Sequence, residues 1–332
     1  MSGGDVESST TPGGARLLRG APLAAELRRD VAADVVAFRR RHGYLPALAV
    51  VIVGRDPGAR LYLNQILRTA STVGIPGRMV DLPARATATD LARELASLDA
   101  DPLVAGVIVQ MPLPKRIPLR TVIDTLRPVK DIDGVHPLNM GLMTMGFEGF
   151  LPACGEAAVA ILKRSGYVLD GLRAAVVGRS NVVGKPVQIL LVRENCTVTV
   201  CHTHTRDLGA VLRESDVVVV GAGSAGLVTG DMLKPGALVV DVGINVVPGG
   251  IVGDVDFASA SRVAAALTPV PGGVGPLTNA ILMEHLVRAA YRQARDGNAT
   301  DRFTRLAPPI GHRARRAAAH PSPRLVPLEN AG

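Results

Sequence analysis

Polar side chains capable of binding a ligand occur in two irregular segments of the first half of the chain. Asp131 and Asp133 lie two residues apart within K-D-I-D-G-V-H-P-L-N, Lys130–Asn139. Carboxylates at this spacing, next to glycine and proline, either close an Asx-type turn or accept hydrogen bonds from a ligand. Gln110 follows an apolar run and opens Q-M-P-L-P. Its position predicts a side chain at the carboxyl end of a strand, where open α/β sheets bind ligands.

A glycine-containing loop in the second half has the pattern of a phosphate-binding turn. The sequence G-R-S-N-V-V-G-K-P, Gly178–Pro186, follows a predicted strand and precedes a predicted helix. In that context the loop N–H groups and the helix N-terminus can hold a pyrophosphate. The match to G-x-G-x-x-G is imperfect, because Ser180 takes the middle place and Gly184 comes one residue late.

The residues after the next predicted strand favour NADP over NAD. An NAD site usually has an acidic residue here for the ribose 2′-hydroxyl. This chain has C-H-T-H-T-R from Cys201 and no carboxylate before Asp207. A hydroxyl and cationic groups, together with Arg179, suit a 2′-phosphate. His202 and His204 are equally compatible with an ordinary pair at a strand end, and no third ligand accompanies them, so we predict no metal.

The segment T-P-V-P-G-G-V-G-P-L-T, Thr268–Thr278, combines prolines and glycines in a shaped backbone. Proline fixes φ, and glycine permits positive φ and close approach of a ligand to the main chain. Val270, Val274 and Leu277 argue against a flexible linker. A structural crossover and a binding loop both remain open.

These segments lie within an alternating pattern of strands and helices. The chain has 332 residues with 47% hydrophobic and 3% aromatic content, which predicts two domains with aliphatic cores. The alternation predicts parallel sheets with right-handed crossovers, and a doubly wound second domain. Predicted strands are 48–53, 78–81, 106–110, 174–177, 197–202, 216–221, 237–242 and 266–268. Predicted helices are 23–42, 59–73, 90–98, 156–165 and 280–295.

Charge and composition exclude some partners. The formal net charge is +8, but residues 301–332 carry six Arg against Asp301 and Glu329, so half of the excess lies in this stretch. The rest is too diffuse to predict nucleic-acid binding. No apolar run approaches the ~18 residues of a membrane span. Residues 1–14 are predicted to be disordered, and residues 297–332 to form a disordered basic tail.

The three cysteines predict a reduced environment. Cys154, Cys196 and Cys201 form no metal-type spacing and leave an odd count. The polar N-terminus lacks an apolar signal region. We therefore expect a cytoplasmic protein.

Taken together, the ordered motifs resemble the FolD-type family of bifunctional methylenetetrahydrofolate dehydrogenase/methenyltetrahydrofolate cyclohydrolase. The resemblance covers about residues 15–296. The motifs are D-P-G-A-R-L-Y at 56–62, V-Q-M-P-L-P at 109–114, the 130–139 and 178–186 segments, D-V-G-I-N at 241–245, G-D-V at 253–255 and the 268–278 segment.

The resemblance implies a fold and an activity. It implies a folate-binding catalytic domain of residues 15–146 plus 279–296, which includes a returning C-terminal helix, and a Rossmann-type NADP-binding domain of residues 147–278. In the family the two domains face each other across a cleft and assemble as a homodimer. The implied activity is NADP-dependent oxidation of methylenetetrahydrofolate, followed by cyclohydrolysis, in one-carbon metabolism.

The resemblance also assigns residues. Tyr62 would stack on the folate, Gln110 would orient the catalytic centre, and Asp133 would accept hydrogen bonds from the pterin's amino-pyrimidine edge. The remaining assignments are NADP contacts at Gly178, Arg179, Ser180, Thr203 and Ile244, and substrate contacts at Pro271, Gly272 and Gly273.

The sequence departs from the family at one chemically important position. The family has a lysine four residues after the tyrosine, where this chain has Ile66. Ala59 replaces a serine, and the family's Pro-Cys-Thr-Pro-x-Gly reads P-A-C-G-E-A at 152–157. We therefore expect a dehydrogenase with impaired cyclohydrolase activity. A fully bifunctional enzyme with another base, and a folate- or NADP-binding pseudoenzyme with a regulatory role, are the alternatives.

Overall fold

The computed structural model describes residues 10–295, which form two compact α/β units. One unit comprises residues 10–23 and Cys154–Leu277 and is called the nucleotide unit, after the predicted NADP-binding domain. The other comprises Ala24–Ala153 and residues 278–295 and is called the folate unit, after the predicted folate-binding domain. The predicted two-domain architecture is confirmed. The predicted C-terminal helix is present as Val274–Arg295, and from Thr278 onward it belongs to the unit that contains Ala24–Ala153. Of the two segments predicted to be disordered, residues 1–14 and 297–332, the first nine residues and the whole of the second lie outside the described residues.

The elements alternate as predicted, with additional short ones. The helices are α1 Gly20–His42, α2 Pro57–Thr72, α3 Ala88–Ala100, α4 Arg120–Ile123, α5 Pro137–Thr144, α6 Ala153–Arg164, α7 Gly184–Arg193, α8 Leu208–Arg213, α9 Phe257–Ala260 and α10 Val274–Arg295. The strands are β1 Arg16–Leu17, β2 Ala47–Val53, β3 Gly77–Leu82, β4 Val104–Val109, β5 Arg173–Val177, β6 Thr197–Cys201, β7 Val217–Val220, β8 Leu238–Asp241, β9 Asn245–Val247, β10 Gly250–Val252 and β11 Ala266–Leu267.

The unit built around Ala24–Ala153 contains a parallel sheet in the order β3-β2-β4. Helix α2 is capped by Asp56, whose side chain accepts from Ala59 N at 2.6 Å. Helix α3 begins with a reciprocal capping box between Thr87 and Asp90. Later in the chain, Asp131 forms a parallel bridge with Val107 of β4. The Lys130–Asn139 segment, predicted to bind folate, therefore runs alongside this strand.

The other unit contains a six-stranded sheet in the order β1-β11-β8-β7-β5-β6, with parallel pairing throughout. Val217–Val220 and Leu238–Asp241 are buried along their whole length, as expected for strands covered by helices on both faces. The chain order reverses at β5, whose neighbours are β6 and β7. This reversal is the topological switch point at which doubly wound sheets bind nucleotides.

Several boundaries differ from the sequence predictions. Residues 10–14 were predicted to be disordered but form a turn in which Thr11 N donates to Ala15 O at 2.8 Å. Residues 15–23 join the nucleotide unit rather than the folate unit, because β1 pairs with β11. Residues 147–153 join the folate unit. A strand of two residues has too little periodicity to be predicted.

The proline- and glycine-rich segment is a loop over only part of its length. Helix α10 begins at Val274, so the last five residues of Thr268–Thr278 are helical. Pro276 lies in the first turn of α10, where the missing N–H of proline costs no intrahelical bond. Across residues 10–295, no helix combines the length and apolar character needed to cross a bilayer.

Candidate active-site residues in the two units

Asp131 is the carboxylate that closes the turn in the Lys130–Asn139 segment. It is 3% exposed and accepts from His136 N at 2.7 Å, Val135 N at 3.3 Å and Asn139 Nδ2 at 2.9 Å. Burial raises the pKa of Asp131, and these donors oppose that rise. The turn interpretation therefore holds for Asp131, and the contact of Asp133 with a ligand stays a prediction.

Asp133 is partly exposed and sits in an environment that resists its ionisation. Burial, followed by the nearby charge of Asp131, raises the pKa of Asp133 to about 7, while His285 and a hydrogen bond from the Ala153 backbone oppose the rise. Gly134 follows with a φ of 69°, and a Cβ there would lie 2.4 Å from the carbonyl carbon of Leu151. The chain can turn so tightly after Asp133 only because residue 134 is glycine.

Gln110 and Tyr62 lie at the carboxyl edge of the same three-stranded sheet. Gln110 follows the last residue of β4, its N donates to Val51 O at 2.8 Å and its Nε2 donates to Met111 O at 2.6 Å. Tyr62 is half-buried near the start of α2, the helix that follows β2. Parallel strands end at one edge, so the topology brings Tyr62, Gln110 and Asp133 to the same side of the sheet.

Ile66 belongs to the buried face of α2. Its exposed fraction is 0%, and Leu63 and Ala70 complete the buried stripe at three- and four-residue steps. Gln65 and Arg68, the polar neighbours in sequence, are exposed on other faces of the helix. The position one turn after Tyr62 is therefore filled by an aliphatic side chain that cannot exchange a proton.

Two basic residues in this unit were not identified from the sequence. Lys130 is fully buried, donates from Nζ to Leu98 O at 3.0 Å and Asp101 O at 2.8 Å, and burial lowers its pKa to about 8. These bonds tie the end of α3 to the folate segment. His285 in α10 is also fully buried, with Nδ1 2.8 Å from Ile132 O. The only sequence signal for His285 was a polar residue in an apolar helix.

The glycine loop of the nucleotide unit requires both of its glycines. A Cβ on Gly178 would lie 2.2 Å from Gly221 O, and one on Gly184 would lie 2.2 Å from Gly178 O. Ser180 Oγ accepts from Val183 N at 3.1 Å and from Gly184 N at 3.4 Å. The serine in the middle place of the motif therefore binds two backbone N–H groups just before α7 and holds the loop in position.

The residues after β6 form a closed turn with outward-facing side chains. His202 N donates to Thr205 Oγ1 at 2.9 Å, and His204 N donates to His202 Nδ1 at 3.1 Å. Thr203 and Arg179, both predicted to contact the cofactor, are exposed. Within residues 10–295, no group of three His, Cys, Asp or Glu side chains has the arrangement of a metal site.

Two buried aspartates shape the loops that follow β7 and β8. Asp254 accepts from Ala222 N at 2.6 Å, Gly223 N at 2.8 Å and Ser224 N at 2.9 Å, and from Asn245 Nδ2 at 2.8 Å. Asp241 accepts from Gly243 N, Asp254 N and Val255 N at 2.9–3.0 Å. Burial raises the pKa of Asp241 to about 6. Between these anchors Ile244 is 60% exposed, which leaves it available for a ligand.

The Pro271–Gly273 loop belongs to the nucleotide unit and is fixed by its own backbone. Gly273 N donates to Pro269 O at 2.8 Å, and Gly20 N donates to Gly273 O at 3.1 Å. Gly272 has a φ of 103°. A Cβ on Gly273 would lie 2.5 Å from Pro269 O, so a side chain there would displace the loop.

Comparison with known proteins identifies two matching family models. Residues 18–133 match the tetrahydrofolate dehydrogenase/cyclohydrolase catalytic domain, and residues 152–294 match the NAD(P)-binding domain of the same family. These matches confirm the predicted nucleotide-binding domain and the FolD-type resemblance.

Individual relatives and solved structures agree with the family models. The bifunctional protein FolD of Chloroflexus aurantiacus is 46% identical over 276 residues, 83% of this chain and 97% of the relative. The FolD of Sorangium cellulosum is 47% identical over 278 residues, 83% of this chain and 97% of the relative. Among solved structures, the FolD enzyme of Campylobacter jejuni has 37% identity and a TM-score of 0.80, covering 83% of this chain and 98% of that one. The Trypanosoma brucei dehydrogenase-cyclohydrolase, solved with NADP and an inhibitor, has 34% identity and a TM-score of 0.81, covering 85% and 99%. The chain belongs to the tetrahydrofolate dehydrogenase/cyclohydrolase family.

Proposed function

We propose that this protein oxidises 5,10-methylenetetrahydrofolate with NADP⁺ and that its cyclohydrolase activity is weak or absent. The observation that carries the second part is the complete burial of Ile66 in the apolar stripe of α2. The first part is supported by the family membership and by the set Tyr62, Gln110 and Asp133 at one sheet edge.

The two steps place different demands on the protein. When bound, NADP⁺ would supply the hydride acceptor for the methylene carbon, and the folate nitrogens would stabilise the cation that results. For that step the protein chiefly has to align the folate, which we assign to Tyr62, Gln110 and Asp133. Adding water to the cation and opening its ring require proton transfers, which general acid–base catalysis accelerates by about 10²–10⁴-fold. The side chain of Ile66 cannot contribute to them.

NADP is the cofactor that the nucleotide unit fits best. The Gly178–Gly184 loop begins directly after β5 at the switch point, and the hydroxyl of Ser180 accepts from two of its backbone N–H groups. Arg179 is exposed in this loop, and Thr203 is exposed after β6 with no carboxylate before Asp207. An exposed cation and hydroxyl would bind a 2′-phosphate, whereas an NAD site would be expected to offer an acid here.

A fully bifunctional enzyme is the second candidate, and one observation favours it. The pKa of Asp133 is raised to about 7, which suits a group that exchanges protons near neutral pH. In that case Asp133 would take over the proton transfer that Ile66 cannot perform. A folate- or NADP-binding pseudoenzyme, the third candidate, would bind both ligands without turnover.

One assay separates these three candidates. Purified protein is mixed with methylenetetrahydrofolate and NADP⁺, and NADPH is followed together with the methenyl chromophore. We expect NADPH formation, with methenyl decaying no faster than in buffer. Enzyme-accelerated decay would favour the bifunctional enzyme, and absence of NADPH would favour the pseudoenzyme.

A substitution tests the cause of the impaired step. We expect Ile66→Lys to accelerate methenyl hydrolysis by tenfold or more, because it restores a proton-exchanging group one turn after Tyr62. Ile66→Met is the matched control, since it fills similar volume without a titratable group. If Ile66→Lys folds with dehydrogenase activity intact and gains no hydrolysis, residue 66 is not the cause.

The remaining expectations concern partners and location. We infer that the substrates are tetrahydrofolate derivatives and that the protein acts as a homodimer in the cytoplasm, without nucleic-acid or membrane partners. The sequence motifs and family membership support these inferences.

A further inference from the structure

Three exposed cations, called here the loop cations, lie in the loops that follow the strands of the three-stranded sheet. Arg55 follows β2, Arg85 follows β3 and Lys115 follows β4. The strands are parallel and lie in the order β3-β2-β4. Adjacent strands are about 4.8 Å apart, so the three strand ends span roughly 10 Å of one sheet edge. Tyr62 and Gln110 lie at this same edge.

The loops after β2 and β3 start from residues that are paired in the sheet. Val53 at the end of β2 is the register partner of Leu82 at the end of β3. Gly54 N donates to Leu82 O at 2.9 Å, which extends the pairing by one step. Arg55 directly follows Gly54, and Arg85 comes shortly after Leu82. The backbones that carry these two arginines are therefore neighbours.

Arg116 joins the loop after β4 to the loop after β3. Its guanidinium donates from Nε to Ala86 O at 3.0 Å and from Nη2 to Ala84 O. These two carbonyl groups lie on either side of Arg85 in the chain, and Lys115 directly precedes Arg116. Hydrogen bonds therefore hold the backbone of Lys115 close to that of Arg85.

The acidic side chains near these loops already have partners. Asp56 accepts a backbone hydrogen bond at the start of α2, Asp81 pairs with Arg60, and Asp90 closes the capping box of α3. Within residues 10–295, none of the loop cations forms an ion pair with a carboxylate. This sheet edge therefore presents positive charge to solvent that the fold itself does not neutralise.

A flexible chain of carboxylates fits this arrangement of charge. The loop cations come from three separate loops, so they offer spaced points of charge along the edge. The tetrahydrofolate substrate of the proposed function ends in a glutamate, and each further γ-linked glutamate adds one carboxylate. Nucleic acid fits less well, because residues 54–58, 83–87 and 110–119 contain no aromatic side chain on which a base could stack.

We propose that Arg55, Arg85 and Lys115 form a subsite for the poly-γ-glutamate tail of the folate substrate. The identity of the ligand rests on the proposed function, which assigns the folate ring to Tyr62 and Gln110 at the same edge. The tail extends from the ring over the loop cations. Each contact is exposed, so it is weak and screened by salt, and the preference for a long tail comes from several contacts together.

Two triple variants with the same change in net charge test the subsite. The loop variant carries Arg55→Gln, Arg85→Gln and Lys115→Gln. The control variant carries Arg39→Gln, Arg40→Gln and Arg41→Gln. The control arginines are exposed in the last turn of α1, which ends shortly before β2 begins. They therefore lie toward the opposite edge of the same sheet.

The first measurement is binding, which needs no turnover. Isothermal titration calorimetry gives the Kd of the full-length protein for tetrahydrofolate monoglutamate and for its pentaglutamate. At about twofold for each exposed ion pair, we expect the wild type and the control variant to bind the pentaglutamate about tenfold more tightly. The loop variant should bind both forms equally. About 0.5 M salt should remove most of the wild-type preference.

Two results of this titration would overturn the proposal. One is an equal Kd of the wild type for the two forms. The other is an equal loss of preference in the loop and control variants, which would reflect net charge alone. Tighter binding of a single-stranded oligonucleotide than of the pentaglutamate, lost in the loop variant, would also overturn it, in favour of a nucleic-acid surface.

Steady-state kinetics separate the subsite from the proposed function. We expect the KM of the wild type for methylenetetrahydrofolate pentaglutamate to be about tenfold below that for the monoglutamate, at equal kcat. The loop variant should lose only this difference in KM. NADPH formation with equal KM values would overturn the subsite and leave the dehydrogenase assignment intact. A pentaglutamate preference in binding without NADPH formation would support the subsite and refute the proposed function.

Discussion

Tyr62 and Ile66 differ in environment although they are only one helical turn apart. Tyr62 is half-buried, whereas Ile66 lies on the apolar face of α2 and is completely buried. A lysine at 66 would have to extend its ammonium group out of this stripe or stay buried with a lowered pKa. Ile66 removes the cost of burying that charge and, on our proposal, removes a catalytic function with it.

Asp133 provides a prediction about stability and pH. Its pKa rises from an ordinary 3.8 to about 7 in the folded protein. A carboxyl group with a raised folded pKa contributes stability below its unfolded pKa and loses that contribution as pH rises through the folded pKa. We therefore expect the gain in unfolding free energy of Asp133→Asn over wild type to grow as pH rises from 4 to 8, with an upper bound of about 4 kcal/mol from roughly three pKa units.

Urea unfolding at several pH values measures this difference. Asp30→Asn, at an exposed position in α1, serves as the control for replacing a surface aspartate in the same unit. A difference that shrinks with rising pH would mean that Asp133 is stabilised as the anion in the fold.

At the scale of elements, the loops after β7 and β8 depend on one buried carboxylate. Asp254 is 0% exposed and accepts from three consecutive backbone N–H groups and the side chain of Asn245. Gly243 lies so close that a Cβ there would be 2.2 Å from the Asp254 carboxyl carbon. The neighbours of the exposed Ile244 are thus held on both sides, since Gly243 N donates to Asp241 and Asn245 Nδ2 donates to Asp254.

Replacing Asp254 should destabilise the nucleotide unit. Asp254→Ala leaves several buried donors without an acceptor, so we expect a loss of about 2–4 kcal/mol in unfolding free energy. A weaker affinity for NADP⁺ should accompany it. Chemical denaturation and calorimetric titration measure the two effects.

Glu214→Ala is the control for the same unit. Glu214 pairs with Arg173 at 3.1 Å, and both side chains are more than half exposed, so its loss should cost at most about 1 kcal/mol. Equal effects of the two substitutions would show that the Asp254 hydrogen bonds contribute little.

At the scale of the whole molecule, the family resemblance predicts a homodimer assembled through the nucleotide domain. That domain exposes apolar residues in its β9–β10 hairpin region, with Val246 at 77% and Ile244 at 60% exposure. We expect light scattering on the purified protein to give twice the monomer mass at micromolar concentration. A monomer mass across the concentration range would contradict this prediction.

The sequence alone determined the order of the elements and the motifs that identify the family. Continuous aliphatic runs such as Val217–Val220 predicted buried parallel strands, because burial on both faces removes alternation. Glycines such as Gly178 predicted a tight loop, because the backbone requirement is local. These inferences succeeded because the cause of each feature lies within a few residues.

Only the tertiary structure decided which polar groups act together. His285 and Ile132 are 153 residues apart in the chain, yet their hydrogen bond holds the segment that carries Asp133. The sequence did not predict β1, because a strand of two residues has no periodic pattern. It forms through its pairing with β11. The role of Asp131 in closing the turn likewise depends on the donors that the fold brings to its carboxylate. Burial and long-range hydrogen bonds depend on residues brought together by the whole fold, and local sequence patterns carry no information about them.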